Sequence, residues 1–397
     1  CKKRYSRIKT AFIQWYYLKK KILIVTERRA DYSKFRPILK EIEKSKSLDY
    51  FLIVTGSHLL SEHKQTIDEI YSDGFKITKK FQMYSKNRND TGAEMARALG
   101  KSIIQLTKII EKLNPDIILS GFDIGSNLSA AIVGAHMNKV VVHLEGGEVT
   151  GTIDESIRHA TTKFAHIHFT TNEIAKTRLI KMGENPKLIF TVGNPSLDNI
   201  KNIKKIPINE LEEEFELNLK KPFVIVLQHT VTTEADKGKK NILQTLRAIN
   251  ELGIQAIIIH GNADFGSKQI RDTIKKSKMK DVTTLSFSKY TNLLRHASAL
   301  VGNSSSGKME APFLHIPTIN IGTRQEGRFK AKSVIDVDYN KKQIKNAIKK
   351  AIYDKKFLKI VKNQKSPYGN GNSSKKIIKI LENMNIKEIP VQKKLGY

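Results

Sequence analysis

Acidic side chains gather at a few points of this 397-residue chain, in a spacing suited to proton transfer. Asp123 follows one apolar run. Next come His143-Leu144-Glu145-Gly146-Gly147-Glu148 and then Thr152-Ile153-Asp154-Glu155. Carboxylates converging at strand ends serve as general base and general acid when their environments split their pKa values. Asp123 and Glu145 each end a strand pattern and are expected to face one cleft. Thr152 and Glu155 have the spacing of a capping box, so a helix is expected to begin there. Asp154 then falls in its first turn, where the dipole favours the ionised form and Arg158, four residues on, adds a like effect. A helix cap with surface acids accounts for the same residues equally well. His229, in His229-Thr230-Val231-Thr232-Thr233, ends a later apolar run and is expected to face the acids across the cleft. His166 and His168 share one strand face without a third ligand at metal spacing, so they read as packed core.

A second group of residues suits an anion. Arg29 follows the first apolar run, where its planar fork of donors fits a phosphate; a surface pair with Asp31 is the alternative. Asn303-Ser304-Ser305-Ser306-Gly307 follows another run and precedes a helical pattern, Gly307–Leu314. Free backbone N–H groups and small hydroxyls there make either an anion site or a simple cap and turn. Glu310 lies one turn further on, placed to accept from a ribose hydroxyl. Gly322-Thr323-Arg324-Gln325-Glu326-Gly327-Arg328 offers further cations for a diphosphate.

Placing these residues requires alternating strands and helices. Lys21–Thr26, Tyr50–Val54, Asp116–Ser120, Val140–Leu144 and His166–Thr170 read as buried strands, with helices over Ser33–Ile42, Ala93–Leu113, Asn127–Met137, Ile153–Phe164 and Glu173–Met182. The alternation stops at a polar stretch, Lys201–Lys220, and restarts with strands Phe223–Leu227, Ala256–His260, Leu300–Gly302 and Thr318–Ile321. Short apolar strands alternating with helices predict an α/β protein of two doubly wound, Rossmann-like halves, residues 21–200 and 201–365, with a cleft between them. Residues 366–397 are expected to form a helix and tail that pack back on the first half. The absence of a G-x-G-x-x-G turn disfavours a dinucleotide cofactor.

Composition narrows the partners. The formal net charge is +31, yet the lysines are spread along the whole chain and no nucleic-acid reading motif accompanies them. A solvated basic surface is the simplest account. The single cysteine, Cys1, excludes an internal disulfide framework and a cysteine zinc site, and points to a reducing, cytoplasmic setting. No apolar run approaches the ~20 residues of a membrane span. Residues 1–20 form a basic, aromatic extension containing Trp15, without the long apolar region of a secretory signal.

In this order the segments RRADYSKFRPIL, HLEGGEVTGTIDESIRHATTKFAHIHF, HTVTTE, NADFGSK, GNSSSGKMEAP, IPTINIGTRQEGR and YGNGNSS resemble the hydrolysing UDP-N-acetylglucosamine 2-epimerases of sialic-acid and related sugar biosynthesis. The resemblance runs from about Lys21 to Leu381 and implies the two-domain glycosyltransferase-B fold. It implies catalytic roles for Asp123, Glu145, Asp154 and His229. By the same resemblance, Arg29, Ser304, Ser305, Glu310 and Arg324 hold the nucleotide, and Asn262 and Asp264 lie near the sugar. The implied reaction eliminates UDP from UDP-N-acetylglucosamine and hydrates the resulting glucal to N-acetylmannosamine, with no cofactor and no metal. The same reaction on UDP-2,4-diacetamido-2,4,6-trideoxyglucose, or glycosyl transfer on the same fold, are the alternatives. Members of the family are usually dimers or larger. This chain departs from the pattern in two places: Glu27-Arg28 where the family often has glycine and threonine, and Ile124 where arginine commonly follows the catalytic aspartate.

Overall fold

The computed structural model describes residues 19–60, 66–85, 91–261, 264–394 and 396. The basic extension, apart from Lys19 and Lys20, and Asn262 lie outside the described residues. Lys20–Thr26 (β1) has no polar alternation, and from Ile22 onward every residue is buried, as a strand covered on both faces requires. Leu48–Val54 (β2), Ile77–Lys80 (β3), Ile117–Gly121 (β4), Val140–Leu144 (β5), Ile167–Thr170 (β6) and Ile189–Thr191 (β7) join it in one sheet. The strand order is β3-β2-β1-β4-β5-β6-β7, with every pairing parallel. Phe223–Leu227 (β8), Gln255–Ile259 (β9), Asp281–Val282 (β10), Ala299–Gly302 (β11), Thr318–Ile321 (β12) and Val334–Val337 (β13) make the second sheet. Its order is β10-β9-β8-β11-β12-β13, again parallel throughout. The molecule is therefore an α/β protein of two Rossmann-like sheets. In each sheet the strand order reverses once, between β1 and β4 and between β8 and β11. Ligands bind open parallel sheets outside the strand carboxyl ends at such reversals.

The polar stretch Lys201–Lys220, where the alternation was expected to stop, contains the helix Ile208–Phe215. Its apolar signal is a single i, i+4 pair among glutamates: Leu211 and Phe215, both buried against Phe223 and Ile225. A proline lets the helix after β1 bond to the helix at the end of the first half. Pro37 sits inside the helix Arg29–Lys44 and cannot donate to the carbonyl of Ser33, so that oxygen is free to accept from Asn199 Nδ2 of the helix Ser196–Asn202. The helix Ser373–Asn383 returns to the first sheet, where Ile377, Ile378 and Leu381 share a core with Ile38 and Ile42. Asp198 anchors its start, accepting from Ser373 N at 2.9 Å and Ser374 N at 2.6 Å. Among the described residues no helix is long and apolar enough to cross a membrane.

Candidate active site

The chain's first reversal point is built by β1 and the helix after it. Asp31 stands in the first turn of that helix, buried, and its carboxylate accepts from the backbone N–H of Glu27 and Arg28, both at 2.9 Å. That bonding folds the strand end back and takes Asp31 away from Arg29, whose Nη1 instead donates to Leu285 O of the second half. Burial is the larger influence on Asp31 and pushes its carboxyl up to about 6 in spite of those bonds. Glu27, one of the two departures, is buried and satisfied: Tyr84 Oη donates to Oε1 at 2.9 Å and Ser126 N to Oε2 at 2.9 Å.

Asp123 follows β4. Burial opposes its ionisation, but Arg158, then Arg28, Lys34 and Arg328, overcome this and hold the carboxyl well below the usual carboxylate range. Arg158 is fully buried and Nη2 donates to Asp123 Oδ2. Asp154 behaves oppositely. The dipole and Arg158 were expected to favour its ionised form, yet Arg158 serves Asp123 instead. Burial and the neighbouring Asp123 charge raise the Asp154 carboxyl, against the pull of Arg324 at 3.4 Å. The two carboxyls line one cavity with their proton affinities driven apart.

The expected capping box is only partly made. Thr152 Oγ1 accepts from Asp154 N at 3.2 Å, while Glu155 Oε2 accepts from Thr150 N at 2.8 Å. The second half holds this loop, for Gly151 N donates to Arg324 O at 3.1 Å. A Cβ on Gly151 would come within 2.2 Å of Thr323 O, so the approach is open only to glycine.

Glu145 ends β5 in a left-handed conformation, with φ of 60°. It does not line the cavity; Lys34 lies between, donating to Glu145 Oε2 at 2.8 Å with its ammonium 4.3 Å from the Phe122 ring centre. His166 and His168 are hydrogen-bonded beside β6, His166 Nδ1 accepting from Val141 N at 3.0 Å and His168 Nε2 facing Glu184 at 3.0 Å.

The opposite wall comes from the second reversal point. Asn303, after β11, clasps the end of β8, accepting from His229 N at 2.6 Å and donating to His229 O at 3.0 Å. Gly302 permits that proximity: its φ is 135°, and a Cβ there would lie 2.2 Å from Leu227 O. Burial, reinforced by Arg324, Arg28 and Arg29, pushes the His229 imidazole well below its ordinary value, leaving the ring neutral. The serine run is not the start of an α-helix. Ser305–Gly307 is a 3-10 turn and only Glu310–Phe313 is α-helical. Serine and glycine are weak helix formers, and Pro312 cannot donate to the carbonyl of Lys308, so the α-helical ladder does not extend back through the serine run. Ser304 caps the turn, and Ser306 Oγ pairs with Tyr290 Oη at 2.6 Å. Glu310 Oε1 accepts from Ser196 Oγ at 2.6 Å.

The cavity between these walls encloses about 990 Å³ of space, partly open to solvent. Arg29, Asp123, Asp154, His229, Ser304, Ser305, Glu310 and Arg324 all line it. Asp264 stands at its edge, accepting from Arg28 Nη1 at 3.2 Å. Arg328, from the cation-bearing run after β12, lines it as expected, and so do Arg28, Lys34, Tyr290 and Gln325, which the sequence did not mark as site residues. For Lys34, one turn beyond Asp31 on the same helix, nothing local marks it. Carboxylates stand on one side and cations with small hydroxyls on the other, an arrangement able to move protons beside a departing anion.

Comparison with known proteins gives a consistent result. Residues 40–382 match the family described as UDP-N-acetylglucosamine 2-epimerase. The chain is 36% identical over 341 residues to the "UDP-N-acetylglucosamine 2-epimerase" of Neisseria meningitidis serogroup B, covering 85% of this chain and 89% of that protein. It is 33% identical over 367 residues to the "UDP-N,N'-diacetylbacillosamine 2-epimerase (hydrolyzing)" of Legionella pneumophila, covering 91% and 96%. In three dimensions it is similar to a crystal structure of UDP-GlcNAc 2-epimerase from Neisseria meningitidis bound to UDP-GlcNAc. The TM-score is 0.79 at 20% identity, with 91% of this chain and 99% of that one covered; this likeness concerns the fold.

Proposed function

The chain belongs to the UDP-N-acetylglucosamine 2-epimerase family, and from that premise we propose that it hydrolyses and epimerises a UDP-2-acetamido sugar. UDP-N-acetylglucosamine is the first substrate proposed, with UDP and free N-acetylmannosamine as products. The observation that carries this reading is the pair Asp123 and Asp154, which share one cavity while their environments split their protonation.

The C2 proton of the sugar is not beside a carbonyl, so its removal needs a concerted departure at C1. Asp123, ionised, takes that proton while the C1–O bond breaks and UDP leaves with the electron pair. Arg29, Arg324 and the Ser304–Ser306 turn receive the diphosphate charge, and Glu310 a ribose hydroxyl. Water then adds at C1 of the unsaturated sugar. Asp154, protonated, returns a proton to C2 from the opposite face, which inverts that centre. Neutral His229 is placed to accept the proton of the attacking water. Glu145 acts through Lys34, whose ammonium it holds at the cavity wall.

The same reaction on UDP-2,4-diacetamido-2,4,6-trideoxyglucose is the second reading. Ile124, buried in the cavity wall directly after Asp123, favours it, because an apolar side chain suits a sugar that has lost its 6-hydroxyl. Timed UDP release from each sugar separates the readings. Release from neither sugar sinks the epimerase assignment, and release only when an acceptor is added points to a glycosyltransferase.

A further inference from the structure

Arg28 is the residue that sequence reasoning noted only as a departure, and its side chain reaches both halves of the molecule. Nη1 donates to Asp264 of the second half at 3.2 Å, and Nη2 stands 3.6 Å from Asp123 Oδ1 of the first. The side chain is 12% exposed, and Nε is buried without a hydrogen-bond partner among the described residues. Arg28 is thus the only described cation within ion-pair distance of a carboxylate from each wall.

We propose that Arg28 is a positioning residue that bridges Asp264 and Asp123 to close the cleft and to set which of Asp123 and Asp154 holds the proton. The proposal rests on the epimerase reading above and adds a residue to it. Its electrostatics are directional. Asp123 faces Arg158, Arg28, Lys34 and Arg328, with Arg28 among the groups favouring its ionised form. Asp154 faces Asp123, Arg324, Asp264 and Arg28; Asp264 favours its protonated form and Arg28 opposes it. Removing Arg28 therefore raises both carboxyls, whereas neutralising Asp264 lowers Asp154. A guanidinium fork can serve two carboxylates at once, and an ammonium serves them poorly.

The test is the pH dependence of kcat/KM for UDP release in the wild type and in Arg28→Gln, Arg28→Lys and Asp264→Asn. Coupled groups report as a pair, so the limbs of the bell are read and not individual residues. In Arg28→Gln the alkaline limb is expected to move up, with a raised KM, because Arg28 opposes the protonated form of Asp154. In Asp264→Asn it is expected to move down. Arg28→Lys is expected to restore the limb but not KM. A limb that stays fixed in Arg28→Gln, or that moves the same way in Asp264→Asn, overturns the proposal. A second readout needs no turnover. Small-angle scattering of the substrate-free protein is expected to show a larger radius of gyration in both Arg28→Gln and Asp264→Asn than in the wild type, and unchanged radii would contradict the closure role. Wild-type protein that releases no UDP counts against the functional reading alone, because the scattering comparison still decides the bridge.

Discussion

Replacing Arg158 by methionine isolates the strongest electrostatic relationship in the cavity wall. Arg158 is fully buried, and its Nη2 is the nearest cation to Asp123; Nη1 also holds Glu148 O at 3.3 Å. Methionine preserves much of the volume and removes the charge. Breaking a buried pair from one side costs about 3–5 kcal/mol, because the remaining charge is left without its counterion. Asp123 keeps 20% of its side chain exposed and retains Arg28 at 3.6 Å, so the lower end applies, about 3 kcal/mol. For an unfolding unit of the size of one half, that corresponds to a melting temperature lower by about 6–12 °C. The sign with pH follows from linkage. Asp123 is depressed in the folded state, so its stabilisation is present above the unfolded carboxyl value of about 3.9 and is lost as pH falls through the folded value. The loss in Arg158→Met should therefore be full at pH 7 and shrink below about pH 4. Urea denaturation of the wild type, Arg158→Met, Asp123→Asn and the double variant forms a thermodynamic cycle. The double variant should be more stable than Arg158→Met at pH 7, since it buries no lone charge. A cost under about 1 kcal/mol for Arg158→Met, or a double variant no more stable than it, would mean that Arg158 does not hold Asp123 as a buried ion pair.

Asp123→Asn should fold and bind UDP normally while kcat falls by about 10²–10⁴-fold, as measured by coupled UDP detection and calorimetry. Arg324→Ala should weaken UDP binding by about 10–100-fold, from the loss of charge-assisted hydrogen bonds, and titration calorimetry reads this directly. Its Nη1 also holds Asn303 O at 3.2 Å, so circular dichroism should accompany the measurement. His58 is buried and contacts Thr26 Oγ1 at 3.0 Å and Thr66 Oγ1 at 2.7 Å; burial lowers its imidazole to about 3. A folded value below the unfolded one makes stability present above about pH 6.5 and lost as pH falls toward 3. His58→Gln should therefore lose about 2 kcal/mol less than the wild type between pH 7 and pH 5, as read by denaturant titration at both values.

The fold was largely legible in the sequence because both sheets are parallel and buried, and such strands stand out as unbroken apolar runs. The strands that escaped notice were β3, β7, β10 and β13. They are short and only partly buried, like Ile77–Lys80 and Val334–Val337, because a sheet margin is covered less completely. Residues at strand ends could be proposed one by one, since strand–turn–helix junctions are local. Which junctions meet depends on the packing of two halves, and no local signal reports it. Glu145 illustrates the limit: its place after β5 was readable, but the interposed Lys34 was not. Asp154 is a second case. Local rules predicted an ionised first-turn acid, and burial beside Asp123 reverses that preference. Arg28 is the third, as its bridge to Asp264 spans 236 positions of sequence.

In the proposed reaction this cavity removes the C2 proton as UDP departs from C1 and then reprotonates C2. The most direct measurement incubates the purified wild-type protein with UDP-N-acetylglucosamine, and in parallel with its diacetamido-trideoxy counterpart, in heavy water, and follows the sugar by proton NMR. The expected result is UDP release matched by a free manno-configured sugar carrying deuterium at C2. Release of a sugar that keeps its C2 proton and gluco configuration would contradict that reaction.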